Sequence, residues 1–370
     1  MKQHGPSLFI TPEQFEEKKA FEISGPNGWI LFVACNDGAA LARSVKREYE
    51  YLLSKNNSPK QIPLLGTAQN PLTRIFSDSE SCSRLDKPVA GSNAYVFQCV
   101  HHNSSSNSVN ENIQQLLQTV RTLRAHRAKT ITVVIPYCPY SRQEKPSHMA
   151  REAVLARLFA DQLKIAGADV FLTYHPHTPS LYGFYEPKVV LVSLSGLDLF
   201  ASVFSAMAGN SKTIAVSTDA GGAKFTIHFS DLLDIPYAIA NKFRPGREKT
   251  DFLGIIGELS EKSRAIILDD EMVTGSSLVN TIKTIHQAYG IEEIFAAISH
   301  NKIRKETVPL LIKAHKEYGL KKIHTTDSIP QSEEVLSLEF IEVHSLGGVF
   351  ASTINRLHYN RSVSEFFLQS

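Results

Sequence analysis

Residues Ile266 to Leu278 read IILDDEMVTGSSL. An apolar run ends in two adjacent carboxylates, Asp269 and Asp270. A turn of Thr274, Gly275, Ser276 and Ser277 follows, and then a helical pattern begins. Small residues let backbone N–H groups approach a phosphate closely, the hydroxyls add donors, and a helix N-terminus adds partial positive charge. The carboxylates cannot help to bind that phosphate. They suit the hydroxyls of a sugar attached to it, directly or through Mg²⁺. Together these parts read as a ribose-5-phosphate cradle at the C-terminal end of a parallel strand, where ligands collect in such sheets.

Other segments offer groups of related chemistry. Ile135 to Lys145 (IPYCPYSRQEK) carries Arg142 and Gln143, with Arg151 further on; a guanidinium fork makes paired bonds to polyphosphate oxygens. Thr173 to Tyr185 (TYHPHTPSLYGFY) carries His175 and His177. Val216 to Lys224 (VSTDAGGAK) sets Asp219 before Ala220, Gly221, Gly222, Ala223 and Lys224. Its two glycines permit close backbone approach, and a following helix start favours an anion. Asn241 to Pro245 (NKFRP) supplies two cations, Lys242 and Arg244, and Phe76 to Glu80 (FSDSE) reads as a polar turn.

These segments must be held at the ends of strands. Short runs rich in Val and Ile recur at 29–34, 95–99, 131–135, 189–193, 213–217, 265–268 and 294–298. They do not strictly alternate, as expected of parallel strands covered on both faces. Amphipathic helical patterns lie between, at 110–126, 151–166 and 274–289. Alternating strand and helix predicts parallel sheets with right-handed crossovers. A chain of 370 residues suits two α/β domains of about 150 residues each. The expected division is an extension over 1–28, a first domain over 29–188 and a second over 189–370. A net charge of +2 gives no reason to propose nucleic acid or an anionic membrane as partner. The four cysteines form no metal-ligand spacing. No apolar run suits a signal peptide or a membrane helix, so a cytoplasmic protein is expected.

The segment around Asp269 resembles the 5-phosphoribosyl-diphosphate-binding signature shared by type I phosphoribosyltransferases and the synthases that make their substrate. Ser276 stands where Gly is usual, and Ser277 where Thr is usual. The remaining segments, in order along the chain, resemble the ribose-phosphate pyrophosphokinase family from about Trp29 to the C-terminus. The resemblance implies an α/β fold of two similar phosphoribosyltransferase-type domains, each a mainly parallel sheet flanked by helices. It implies diphosphoryl transfer from ATP, as co-substrate with Mg²⁺, to ribose 5-phosphate. Arg142, Gln143 and Arg151 would bind ATP, and His177 and Asp219 would meet the metal. Residues Asp219 to Lys224 would form the pyrophosphate loop, while Lys242, Arg244 and His177 would be catalytic. Asp269, Asp270 and Thr274 to Ser277 would take ribose 5-phosphate. Phe76, Asp78 and Glu80 would approach adenine bound in a neighbouring subunit, which implies a homo-oligomer. The chain departs from the family pattern at Ser79 (usually Gly), Glu144 (Asp), His175 (Asp) and Val273 (an acid). His175 and Val273 motivate one rival, a catalytically silent regulatory paralogue. A type I phosphoribosyltransferase is a second rival, which the RQ, DAGGAK and KxRP segments oppose.

Overall fold

The computed structural model describes residues 10–67, 69–101, 105, 107–147, 149–243 and 252–364. Within them the chain builds two seven-stranded sheets and a small hairpin. The first sheet takes β1 (Ser24–Gly25), β2 (Gly28–Ala34) and β3 (Leu64–Leu65). The hairpin of β4 (Thr73–Ile75) and β5 (Ser81–Ser83) follows. Then β6 (Ser92–Phe97), β7 (Thr130–Val134), β8 (Val170–Tyr174) and β9 (Val190–Leu194) complete the first sheet. Its order is β1-β2-β6-β7-β8-β9, with β3 beside β2, and only the β1–β2 pairing is antiparallel.

The second sheet takes β10 (Thr213–Ser217), β11 (Tyr237–Phe243), β12 (Phe252–Ile256), β13 (Arg264–Met272), β14 (Glu293–Asn301), β15 (Leu320–Thr326) and β16 (Ile341–His344). Its order is β12-β11-β10-β13-β14-β15-β16, parallel except at β11–β12. The architecture is the expected pair of mainly parallel sheets flanked by helices.

Local chemistry accounts for the elements. In β13, Ile266, Ile267 and Leu268 are all fully buried, as an apolar strand sandwiched between helices must be. Each sheet has a hydrophobic cluster on both faces. The helix Val109–Ala125 opens on a capping box. Ser108 Oγ accepts from the Glu111 amide at 3.2 Å, and the Glu111 carboxylate accepts from the Ser108 amide at 2.6 Å. Helix Leu155–Ala166 stops at Gly167, whose φ of 110° lies in the left-handed region.

Three features differ from the expected division of the chain. Strand β9, at 190–194, lies in the first sheet beside β8, so that sheet runs past the expected boundary at 188. The helix Gly347–His358 also returns to the first domain. Its Phe350 and Ile354 join the cluster of Phe32, Val45 and Tyr49, and Asn355 Nδ2 donates to Tyr49 OH at 2.9 Å. At the other end, Ile23 is buried and β1 pairs with β2, so the expected extension contributes to the sheet. Truncating Phe350 to Ala should therefore destabilise the first domain, 300 residues away in sequence, by about 3–5 kcal/mol. Urea denaturation measures this; a loss below about 1 kcal/mol would show that the helix contributes little there.

Candidate active site

Strand β13 carries the acidic pair into the cleft. The strand continues past Asp270, with Glu271 opposite His300 and Met272 opposite Asn301 on β14. Asp269 and Asp270 are therefore fixed within the ladder. Asp269 Oδ2 accepts from Thr218 Oγ1 at 2.6 Å, and Asp270 Oδ2 lies 2.5 Å from His177 Nδ1. Like charges on neighbouring residues in a half-buried site must be separated. Burial, and then the adjacent Asp270 charge, push the Asp269 carboxyl upward. Burial opposes ionisation of Asp270 as well, but the hydrogen bond and charge of His177 outweigh it and hold Asp270 below its ordinary value. His177 is raised in turn, first by its hydrogen bond to Asp270. With Nδ1 donating to Asp270, its Nε2 is left to meet a ligand.

His177 sits on the loop after β8, and the second sheet anchors that loop. His300 Nε2 donates to His175 O at 3.0 Å, and His300 Nδ1 pairs with Ser328 Oγ at 2.9 Å. His175 has φ of 39°, and its Nδ1 lies 2.5 Å from Ser299 Oγ. Its ring packs against Phe225, with centroids 4.2 Å apart and the planes tilted by 36°. Burial pushes His175 down to about 4, so it is neutral at physiological pH. Asp270, rather than residue 175, is the partner that orients His177.

The turn after β13 is narrow by necessity. Gly275 has φ of +69°, and a Cβ there would lie 2.9 Å from Thr307 Cγ2. Thr274 Oγ1 and Ser276 Oγ are 2.9 Å apart, and helix Ser276–Tyr289 starts at once. The DAGGAK turn is tied by its own acid: Asp219 Oδ1 accepts from the Gly221 and Gly222 amides at 2.8 and 3.2 Å. At Gly222 a Cβ would lie 2.8 Å from Ser217 Oγ. Helix Ala223–Leu233 follows, so a second helix N-terminus adjoins an acid and small residues.

Three residues that the sequence did not single out brace Arg142. Glu271, with only 6% of its side chain exposed, lies 2.8 Å from Arg142 Nη1 and 2.5 Å from Lys302 Nζ. Lys302 donates to Tyr137 OH at 2.8 Å and sits 4.3 Å over the Tyr137 ring. Arg142 and Tyr137 belong to the first domain, Glu271 and Lys302 to the second. Glu271 is visible in the quoted segment; its partner Lys302 is 31 residues away.

The cleft is lined by Arg142, His177, Asp219, Asp269, Asp270, Thr274, Gly275 and Ser277, together with Glu271 to Val273 and Leu278. Ser276, Gln143, Arg151 and residues 220–224 do not line it. Phe76, Asp78 and Glu80 do not line it either. They occupy the exposed turn between β4 and β5, where Ser79 has φ of 74° at the position usually held by Gly. The backbone of Lys242 pairs with Leu253 at the end of β11, and Arg244 lies outside the described residues. Mg²⁺ fits the donors present. Asp219 offers its second carboxylate oxygen and His177 its Nε2. Among the described residues no three-donor cage forms here, and Mg²⁺ normally takes few protein ligands, with waters and substrate phosphates completing the shell.

Two acid-tipped, small-residue turns and a histidine–carboxylate pair are set between two mainly parallel sheets in an α/β fold. Comparison with known proteins narrows the class. Residues 31–167 match the family profile described as the N-terminal domain of ribose phosphate pyrophosphokinase. The ribose-phosphate pyrophosphokinase of Fusobacterium nucleatum is 33% identical over 316 residues, 85% of this chain and 94% of that one. That of Caldanaerobacter subterraneus subsp. tengcongensis is 31% identical over 292 residues, 79% of this chain and 88% of that one. The crystal structure of phosphoribosylpyrophosphate synthetase from Mycobacterium smegmatis shares the fold, with a TM-score of 0.74 at 24% identity over 89% of this chain and 98% of that one. This chain belongs to the ribose-phosphate pyrophosphokinase family.

The raised pKa of His177 rests on Asp270, so NMR titration of Asp270→Asn should show the His177 pKa fall toward or below about 6.5. Because the folded value is raised, the pair stabilises the fold fully below the unfolded pKa. That contribution fades as pH rises through the folded pKa. An unchanged His177 titration would exclude Asp270 as its partner.

Proposed function

We propose that this chain is a ribose-5-phosphate pyrophosphokinase. It transfers the β,γ-diphosphoryl group of ATP to the 1-hydroxyl of ribose 5-phosphate, giving 5-phosphoribosyl 1-diphosphate and AMP. The observation that carries the reading is convergence: Arg142 and His177 come from the first domain and meet the acidic pair and the TGSS turn of the second in one cleft. The similarity to named pyrophosphokinases along most of the chain supports it.

The 5-phosphate is taken by the amides and hydroxyls of Thr274 to Ser277 at the helix start, and the ribose hydroxyls by Asp269 and Asp270. Arg142, Gln143 and Arg151 take the triphosphate, with Arg142 pre-oriented by Glu271. His177 and Asp219 hold Mg²⁺. When bound, the ion neutralises phosphate oxygens and holds them in register. The loop Asp219–Lys224 receives the diphosphoryl group beside it. Lys242 and Arg244 stabilise the charge that moves to the leaving AMP. Positioning and charge neutralisation carry most of such a transfer. Phe76, Asp78 and Glu80 complete the adenine site of a neighbouring copy in a homo-oligomer, a role suited to their exposed turn outside this chain's own cleft. Among the described residues no helix is long and apolar enough to cross a membrane, and we place the protein in the cytoplasm.

A catalytically silent, regulatory paralogue is the second reading. His175 and Val273 favour it, since neither supplies the carboxylate usual at its position.

Incubating the purified chain with ATP, ribose 5-phosphate and Mg²⁺ should yield AMP and phosphoribosyl diphosphate in equal amounts, and chelation of Mg²⁺ should abolish both. Lys242→Ala should lower kcat by roughly 10²- to 10³-fold, the usual cost of losing one group that stabilises transition-state charge. A folded chain that binds ATP yet forms no product would favour the silent paralogue.

A further inference from the structure

The edge of the second sheet gathers three ligating side chains away from the cleft. β15 and β16 pair in parallel, with His324 opposite Glu342 and Thr326 opposite His344. Alternation along each strand puts His324, Glu342 and His344 on one face. His324 Nδ1 is 3.0 Å from His344 Nε2 and 3.9 Å from Glu342 Oε2, while His344 Nε2 is 3.8 Å from Glu342 Oε1. Among the described residues this is the one trio of His, Cys, Asp or Glu donors close enough to share an ion. One ligand atom from each residue lies within 4.8 Å of the others, close enough to converge on an ion such as Zn²⁺, whose bonds to imidazole nitrogen and carboxylate oxygen are about 2.0–2.2 Å.

The surroundings favour a metal over a simple histidine pair. The His324 ring is edge-on to Phe204 at 5.0 Å and nearly parallel to His344 at 5.3 Å, so packing sets its orientation. Burial pushes His324 down to about 4 and lowers His344 too. Both rings are therefore neutral at physiological pH, the state that ligates metal. Lys322 Nζ holds Glu342 Oε2 at 2.9 Å and leaves Oε1 turned toward His344. Glu342 is exposed, so a fourth position opens to water.

We propose that His324, Glu342 and His344 form a binding site for a zinc-class divalent transition metal, with water as fourth ligand. A donor set with two imidazoles suits such an ion better than Mg²⁺, which favours a shell made mainly of oxygen ligands in octahedral array. The bound ion pins edge strand β16 to β15. The next two residues, Ser345 and Leu346, are held by the Asp327 carboxylate at 2.9 and 2.8 Å. They lead into the helix Gly347–His358 on the first domain, so the ion steadies the start of that return.

Co²⁺ titration of the full chain in excess Mg²⁺ tests the site independently of activity. The expected result is one ion per chain, the intense visible bands of four-coordinate Co²⁺, and their displacement by Zn²⁺. His344→Gln, at a half-buried position, should weaken binding by at least roughly tenfold with an unchanged circular dichroism spectrum; Glu342→Gln should do the same. His177→Ala should keep the bands. Zn²⁺ should raise the melting temperature of the wild type and not of His344→Gln. Absence of four-coordinate bands, equal binding by His344→Gln, or loss of the bands in His177→Ala would each overturn the proposal.

Discussion

Two carboxylates side by side at the end of a buried strand impose the main constraint on the cleft. They cannot both remain charged in a half-buried site without compensation. The structure resolves this asymmetrically: Asp270 keeps its charge against His177, while Asp269 takes a hydroxyl donor from Thr218. The first compensation comes from the first domain and the second from Thr218, on the turn after β10 in the second. The contact between His177 and Asp270 therefore also joins the two cleft walls.

The same coupling recurs around Glu271. A carboxylate that is 6% exposed is tolerable only because two cations flank it, and loss of one partner from such a cluster strands a buried charge. Arg142 is one of those cations and also a cleft-lining donor. Its placement is thus a property of the domain interface as much as of its own loop. His300 acts similarly on the other side by holding the backbone of His175, which carries a positive φ two residues before His177. Departures from the family pattern are local for this reason. The partner that orients His177 is Asp270, which lies 93 residues beyond it.

What could be read from the residues was what is contiguous. An apolar run, two acids and a small-residue turn follow one another between 266 and 278, so strand, acidic end and turn were legible together. The same holds for β10 and the DAGGAK turn. Pairings between distant segments were not legible. Nothing local to Glu271 marks Lys302 and Arg142 as its partners, and nothing local to His177 marks Asp270. The run at 189–193 fits either sheet by composition, and only its register beside β8 assigns it to the first. The amphipathic helix at 347–358 likewise announces a buried face without naming the surface that covers it. For Phe76, Asp78 and Glu80 one chain offers an exposed turn and no ligand wall.

The docking of that last helix has a consequence for how the molecule is made. In synthesis from the N-terminus, helix Ala39–Lys55 covers part of the first sheet's face around Phe32 early, and residues 347–358 complete that cover only when they emerge, whereas the second sheet has all its described strands once residue 344 is made. Domains ordinarily fold in the order of their synthesis. Here the later half completes its sheet while the earlier half still waits for the last part of its cover, the apolar face of helix Gly347–His358.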